Sequence, residues 1–203
     1  AAAFSNVGMW ALIYGRLWLM HSLTDSPLMV GLTTTASLGP ILIFSVWGGV
    51  LADRVNRLKL LRVTRVMFAA LALLTGLLVA TDVVEPWHII AISVGTGILL
   101  SFDIPSRAAM LPTLVPKAQL PSAIALYSLV FGGASILGPS VFAPLVDLWG
   151  LESVFFIIGI AYILTVLTLV LMNPVGHRLE SRSSSMLRSL LEGLSYVGGR
   201  KEI

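Results

Sequence analysis

Apolar residues run through this chain in long uninterrupted stretches rather than at every second position, and short clusters of charged residues separate the stretches. Read as helices, the stretches predict six spans, at roughly 3–23, 28–51, 59–81, 87–105, 120–146 and 153–172. About 18 to 25 apolar residues suffice to carry a helix across a bilayer. A β-barrel would need alternation, and in lipid every backbone polar group must find its partner within the segment unless the sheet closes. Glycine and proline inside the stretches do not argue against helices, because membrane helices tolerate both.

Composition removes the soluble alternative: 57% hydrophobic against 11% charged residues in 203 positions is more apolar surface than an aqueous fold hides. The charges then set an orientation. Arg54, Arg57, Lys59, Arg62 and Arg65 surround the second connection, Arg107 and Lys117 the fourth, and Arg178, Arg182, Arg188, Arg200 and Lys201 follow the sixth span. The opposite connections carry Asp25, Asp82, Glu85, Asp147 and Glu152 with no lysine or arginine. Basic loops stay in the cytoplasm during insertion, so both ends of the chain are expected there. Insertion also accounts for the net charge of +3, and no nucleic-acid partner is implied. Without cysteine, and with His21, His88 and His177 scattered, neither a metal site nor a cofactor is expected. The first span is too long for the core of a secretory signal and is read as a retained helix.

The spans define a membrane domain over 1–173, followed by a cytoplasmic linker over 174–203 in which Leu187, Leu190, Leu191, Leu194 and Val197 recur at helical spacing. A chain that starts at Ala1 and is still building a helix near Ile203 is expected to be part of a longer one. A shift of 94 residues superimposes Pro27 on Pro121, Leu32 on Leu126, Gly39 on Gly133, Leu51 on Leu145 and Asp53 on Asp147. Three crossings separate the second and fifth spans, so the second copy is inverted relative to the membrane. The fold expected is an all-α membrane protein, a six-helix transmembrane bundle of two inverted three-helix repeats.

Between the second and third spans lies Gly49-Val50-Leu51-Ala52-Asp53-Arg54-Val55-Asn56-Arg57-Leu58-Lys59. A carboxylate beside guanidinium groups at a helix end can latch neighbouring helices. This stretch resembles the loop signature of the major facilitator superfamily, with Asn56 where the family has glycine and Leu58 in place of a base. Asparagine suits that position if the turn is left-handed. The resemblance implies a conformational gate made of Gly49, Asp53, Arg54, Asn56 and Arg57, with Gly49 allowing close packing against the other half of the transporter. Asp103, placed beside Pro105 and Arg107 at the end of the fourth span, is expected either to pair with Arg57 or Arg54 or simply to reach water.

In the fifth span Gly132-Gly133, Gly138-Pro139 and Ala143-Pro144 resemble the glycine-proline signature of antiporters, while close helix packing is the plainer role for such residues. Asp103-Ile104-Pro105-Ser106-Arg107 and Pro121-Ser122-Ala123-Ile124 are similar to the exporter branch that holds enterobactin and macrolide efflux proteins. The implied protein is a twelve-helix transporter in a bacterial inner membrane, of which this chain is the N-terminal half. It would export a small organic molecule in exchange for protons, with the bilayer and the C-terminal half as partners. An importer or a non-transporting sensor on the same fold is the alternative.

Arg16 is the one charge well inside a span, expected to face a central cavity, where it would attract an anionic substrate or hold a carboxylate of the other half, unless it snorkels outward. Asn6, Tyr14, Thr33, Thr34, Ser37 and Ser128 are polar positions for which hydrogen bonds to neighbouring helices or to their own backbone are the commoner fate. An intramembrane serine protease is excluded: Ile136 stands where Gly133-Ala134-Ser135 would need a closing glycine, and no histidine lies in the sixth span.

Overall fold

The computed structural model describes residues 2–171, with only the backbone described at 2–4 and 52–54. The expected amphipathic segment of the linker lies outside the described residues. Six long helices form the bundle: α1 (Ala2–Thr24), α2 (Pro27–Arg54), α3 (Arg57–Ala80), α4 (Pro86–Leu114), α5 (Leu120–Trp149) and α6 (Leu151–Leu171), with one 3₁₀ turn at Lys117–Gln119. Among the described residues there is no strand.

Local chemistry explains where the helices begin and end. Prolines occupy the first turns of α2, α4 and α5, where an N–H would have no partner anyway. Glu85 starts α4 with its backbone N–H donating to His88 Nδ1 at 3.1 Å, which makes His88 part of a helix cap. The three connections at the acidic end turn through positive φ, at Asp25 (46°), Asp82 (54°) and Gly150 (81°). Aspartate and glycine are residue types that accept such a conformation.

α4 departs most from the sequence expectation. It continues past residue 105 to Leu114 with Pro105 and Pro112 inside it. Pro105 lacks the N–H that would bond Ser101 O, and the released carbonyl faces Gly48 of α2, where an added Cβ would collide with that oxygen. The seam between α2 and α4 therefore absorbs the interruption instead of ending the helix. Gly97 meets the Ser37 carbonyl in the same seam.

The helices pair as α2 with α4, α1 with α5 and α3 with α6. Exchanging α1 with α4, α2 with α5 and α3 with α6 maps this pairing onto itself, as inverted repeats require. The other two seams also close on glycine: a Cβ on Gly138 would lie 2.7 Å from Trp10 Cβ, and one on Gly159 would lie 2.6 Å from a Leu73 methyl.

The surface is apolar and the interior mixed, which inverts the soluble pattern. Leu42 (84%) and Leu171 (83%) are almost fully exposed, while Asn6, Arg16, Thr64, Arg65, Thr96 and Asp103 are buried. Five helices, α2 to α6, are long and apolar enough to cross a membrane. α1 matches them in length but carries Asn6 and Arg16, and both are covered by the bundle. Its 23 residues extend about 34 Å at 1.5 Å per residue, the thickness of a hydrocarbon core.

Candidate functional site

α1 and α4 run antiparallel and meet through polar side chains at two levels. Near the basic end the centre is Asp103, completely buried. Its Oδ2 lies 3.1 Å from Arg65 Nη2 on α3 and 2.8 Å from Arg107 Nε one turn along α4. Its Oδ1 accepts from the Thr64 hydroxyl at 2.9 Å. Arg107 also donates to Asn6 Oδ1 on α1. The Arg65 guanidinium stands 5.8 Å from the Phe68 ring and 5.7 Å from the Tyr162 ring, and those two rings stack on each other. The hydroxyl donor and the two guanidinium groups satisfy the carboxylate, and these bonds tie α1, α3 and α4 together.

This corrects two expectations for Asp103. The continued helix buries it well before the end of α4, so it neither closes the span nor reaches water. Its ion-pair partners among the described residues are Arg65 and Arg107 rather than Arg57, and the Arg54 side chain is outside the description. Arg65 had counted only as one of several bases around a loop; its signal was the apolar run Val66-Met67-Phe68 that follows, which carries it into the membrane helix. Thr64 and Tyr162 gave no sequence signal of their own.

The α2–α3 connection works at the surface. Val55 and Asn56 are extended, and the Asn56 side chain caps α3 by accepting from the backbone N–H groups of Leu58 (3.0 Å) and Lys59 (3.1 Å). With φ at −62°, Asn56 is an N-cap, not the left-handed turn residue the signature suggests. Arg57 donates to the Ala109 carbonyl at 2.8 Å near the end of α4. Arg62 donates to the Leu169 carbonyl through Nε (3.0 Å) and Nη2 (2.6 Å) at the end of α6. The Arg62 contact lies in the last described turn of α6, and the Arg57 contact lies five residues before Leu114 in α4. The Asp53 and Arg54 side chains are outside the description.

In α5, Gly138 is the contact glycine, packed on Val7, Trp10 and Ala11 of α1, and Pro139 follows it inside the helix. Gly133 and Gly49 meet nothing within 4 Å in this bundle. Thr33, Thr34 and Ser37 bond to carbonyls of their own helix four residues back.

Ten residues along α1 from Asn6, or about 15 Å at 1.5 Å per residue, lies Arg16, 1% exposed and reaching neither end of the bundle. Its Nη1 donates to Thr96 Oγ1 at 2.5 Å and to the Ile92 carbonyl at 3.4 Å, both on α4. Its Nε and Nη2 have no acceptor, and among the described residues no carboxylate pairs with it. The buried Ser93 hydroxyl on the same turn of α4 also lacks a partner.

Comparison with known proteins agrees with this architecture. The family described as Transmembrane secretion effector matches residues 1–203. The chain is 27% identical over 162 residues to the Staphyloferrin A transporter of Staphylococcus aureus, covering 79% of this chain and 41% of that protein. It is 22% identical over 180 residues to Macrolide efflux protein A of Streptococcus pyogenes, covering 88% and 44%. With Multidrug resistance protein MdtG of Enterobacter lignolyticus it shares 35% identity over 151 residues, 71% of this chain and 34% of the other. The chain spans about half the length or less of the curated relatives it matches. Matched along its whole length, and with six helices paired as inverted repeats require, the chain belongs to the transmembrane secretion effectors of the major facilitator superfamily, which are transporters and not enzymes.

Proposed function

We propose that the chain is the N-terminal half of a twelve-helix exporter in a bacterial inner membrane, with both of its ends in the cytoplasm. The exporter moves a small organic molecule outward by alternating access, driven by protons. The observation that carries this reading is the division of labour among the arginines at the basic end. Arg65 and Arg107 are locked in a buried ion-pair cluster, whereas Arg62 reaches the Leu169 carbonyl of α6, and Arg57 reaches, among its contacts, the Ala109 carbonyl of α4 near the surface. Water can replace bonds of the second kind at a net cost of about 1.5–3 kcal/mol each. The α2–α3 connection can then release and re-form while the cluster keeps the bundle rigid. Asp53, Arg54 and Asn56 complete this gate, Gly49 leaves room for the C-terminal half, and Gly138-Pro139 gives α5 its close but pliable seam with α1. The efflux and transporter names of the relatives support export.

The test uses the complete gene in a host stripped of its main efflux pumps, following cell retention of dyes, macrolides and siderophores. Expression is expected to lower retention of at least one class. A proton uncoupler, or Asp53→Ala, should restore it. Unchanged retention with correct membrane insertion would remove the export reading.

A further inference from the structure

We infer that Arg16 is a recognition point for a carboxylate, received inside the bundle between α1 and α4. The inference deepens the transport reading and rests on it. Among the described residues, the buried Arg16 and Arg65 and the partly buried Arg107 stand against a single buried carboxylate, Asp103, which Arg65 and Arg107 already occupy. Arg16 is left with a full positive charge in a low-dielectric setting, and an uncompensated ion there is costly unless it serves a ligand.

The geometry indicates the ligand class. Both hydrogen bonds of Arg16 leave from Nη1, which ties the guanidinium to Thr96 and Ile92 and fixes its plane. The edge left over is Nε with Nη2. Two parallel N–H donors on one edge match the two oxygens of a carboxylate, a bidentate arrangement that lysine cannot offer. One further buried hydroxyl without a partner stands nearby, Ser93 on the same turn of α4. One cation and one hydroxyl suit a single planar negative charge.

Access is also built in. α1 and α4 touch each other far less than α1 touches α5 or α2 touches α4, and no glycine contact closes their seam. Opening of this seam at the Arg16 level alone, with the Asp103 cluster still joining α1 and α4 at the basic end, exposes the Arg16 edge while the glycine-packed seams stay shut. The carboxylate comes either from the cargo or from an Asp or Glu side chain in the remainder of a longer transporter. The chemistry at Arg16 is the same in both cases.

The experiment uses the purified complete transporter and two probes that differ only in this group, fluorescein and its methyl ester. Binding is followed by fluorescence polarisation, and folding by the melting temperature in detergent, for wild type, Arg16→Gln and Arg16→Lys. If the cargo supplies the carboxylate, wild type binds the acid at least tenfold more tightly than the ester. Arg16→Gln then abolishes the preference without lowering the melting temperature, and Arg16→Lys keeps only part of it. If the chain supplies it, wild type shows no preference, and Arg16→Gln melts several degrees lower because a buried carboxylate has lost its partner. No preference in wild type, together with an Arg16→Gln melting temperature that is unchanged or raised, overturns the inference. A preference that persists in Arg16→Gln does the same. Accumulation of the acid in inverted vesicles is measured separately. A wild type that binds the acid but does not accumulate it removes the export reading and leaves the carboxylate site standing.

Discussion

The seam between α1 and α4 holds guanidinium groups at two levels, bound at Asn6 and carried by Arg16, about 15 Å apart along α1, and their surroundings differ in one respect that matters. At the basic end, Arg107 shares Asp103 with Arg65, donates to Asn6, and every oxygen of the carboxylate is engaged. At the other level, Arg16 has a hydroxyl and a carbonyl for one of its nitrogens and nothing for the other two. In the first arrangement the charges are paired, and removing Asp103 leaves two guanidinium groups without their counterion. The second is an open unit, and openness at a buried charge is where a membrane protein has capacity to do work.

The comparison breaks first at Asp103. Replacing it with asparagine leaves Arg65 and Arg107 without their counterion, and a loss of about 3–5 kcal/mol is expected, the range for breaking a buried pair by removing one partner. It would be read as a lowered melting temperature of the complete protein in detergent, with lower membrane abundance. Where the cargo supplies the carboxylate for Arg16, Arg16→Gln should move the melting temperature much less, since no described carboxylate loses a partner with it. Equal losses in the two variants would mean that the two levels are alike after all.

A second prediction sharpens the open level. Thr96→Val removes the one side-chain acceptor of Arg16, at about 1.5–3 kcal/mol for a hydrogen bond to a charged group. In an Arg16→Met background the same substitution should cost close to nothing, because the interaction it removes is already gone. A cost that persists would place the role of Thr96 within α4 rather than toward Arg16, through its bond to the Ile92 carbonyl.

The smallest effect belongs outside both levels and serves as their control. Asn56→Ala removes the cap of α3 and should destabilise by about 1 kcal/mol, while Asn56→Gly should cost only a few tenths. Neither should alter the acid-over-ester preference expected of Arg16. A larger loss in the glycine variant would contradict the N-cap role.

Much of the fold was legible because membrane insertion is a local problem. Long apolar runs gave the number of helices, basic loops gave the expected orientation, and the 94-residue repeat gave the relation between the halves. The boundaries agreed within a few residues except at the end of α4, which the sequence placed at Asp103, Pro105 and Arg107. Proline does end isolated helices, but here Pro105 is carried by the packing of Gly48 on the Ser101 carbonyl, which no local pattern contains. The site was legible only in its parts. Arg16, Asp103 and Arg107 stood out as charges in apolar surroundings, whereas Thr64, Arg65 and Tyr162 did not.

The sequence by itself determined that this chain is a bundle of membrane helices in two related halves, because the cost of placing polar groups in lipid acts on each segment separately. Only the tertiary structure decided which charges meet. A helix apolar on nearly all sides carries no stripe to say which face turns inward. The rotation of each helix, and with it the choice of Arg65 over Arg57 for Asp103 and of Thr96 for Arg16, follows from glycine contacts between helices far apart in the chain.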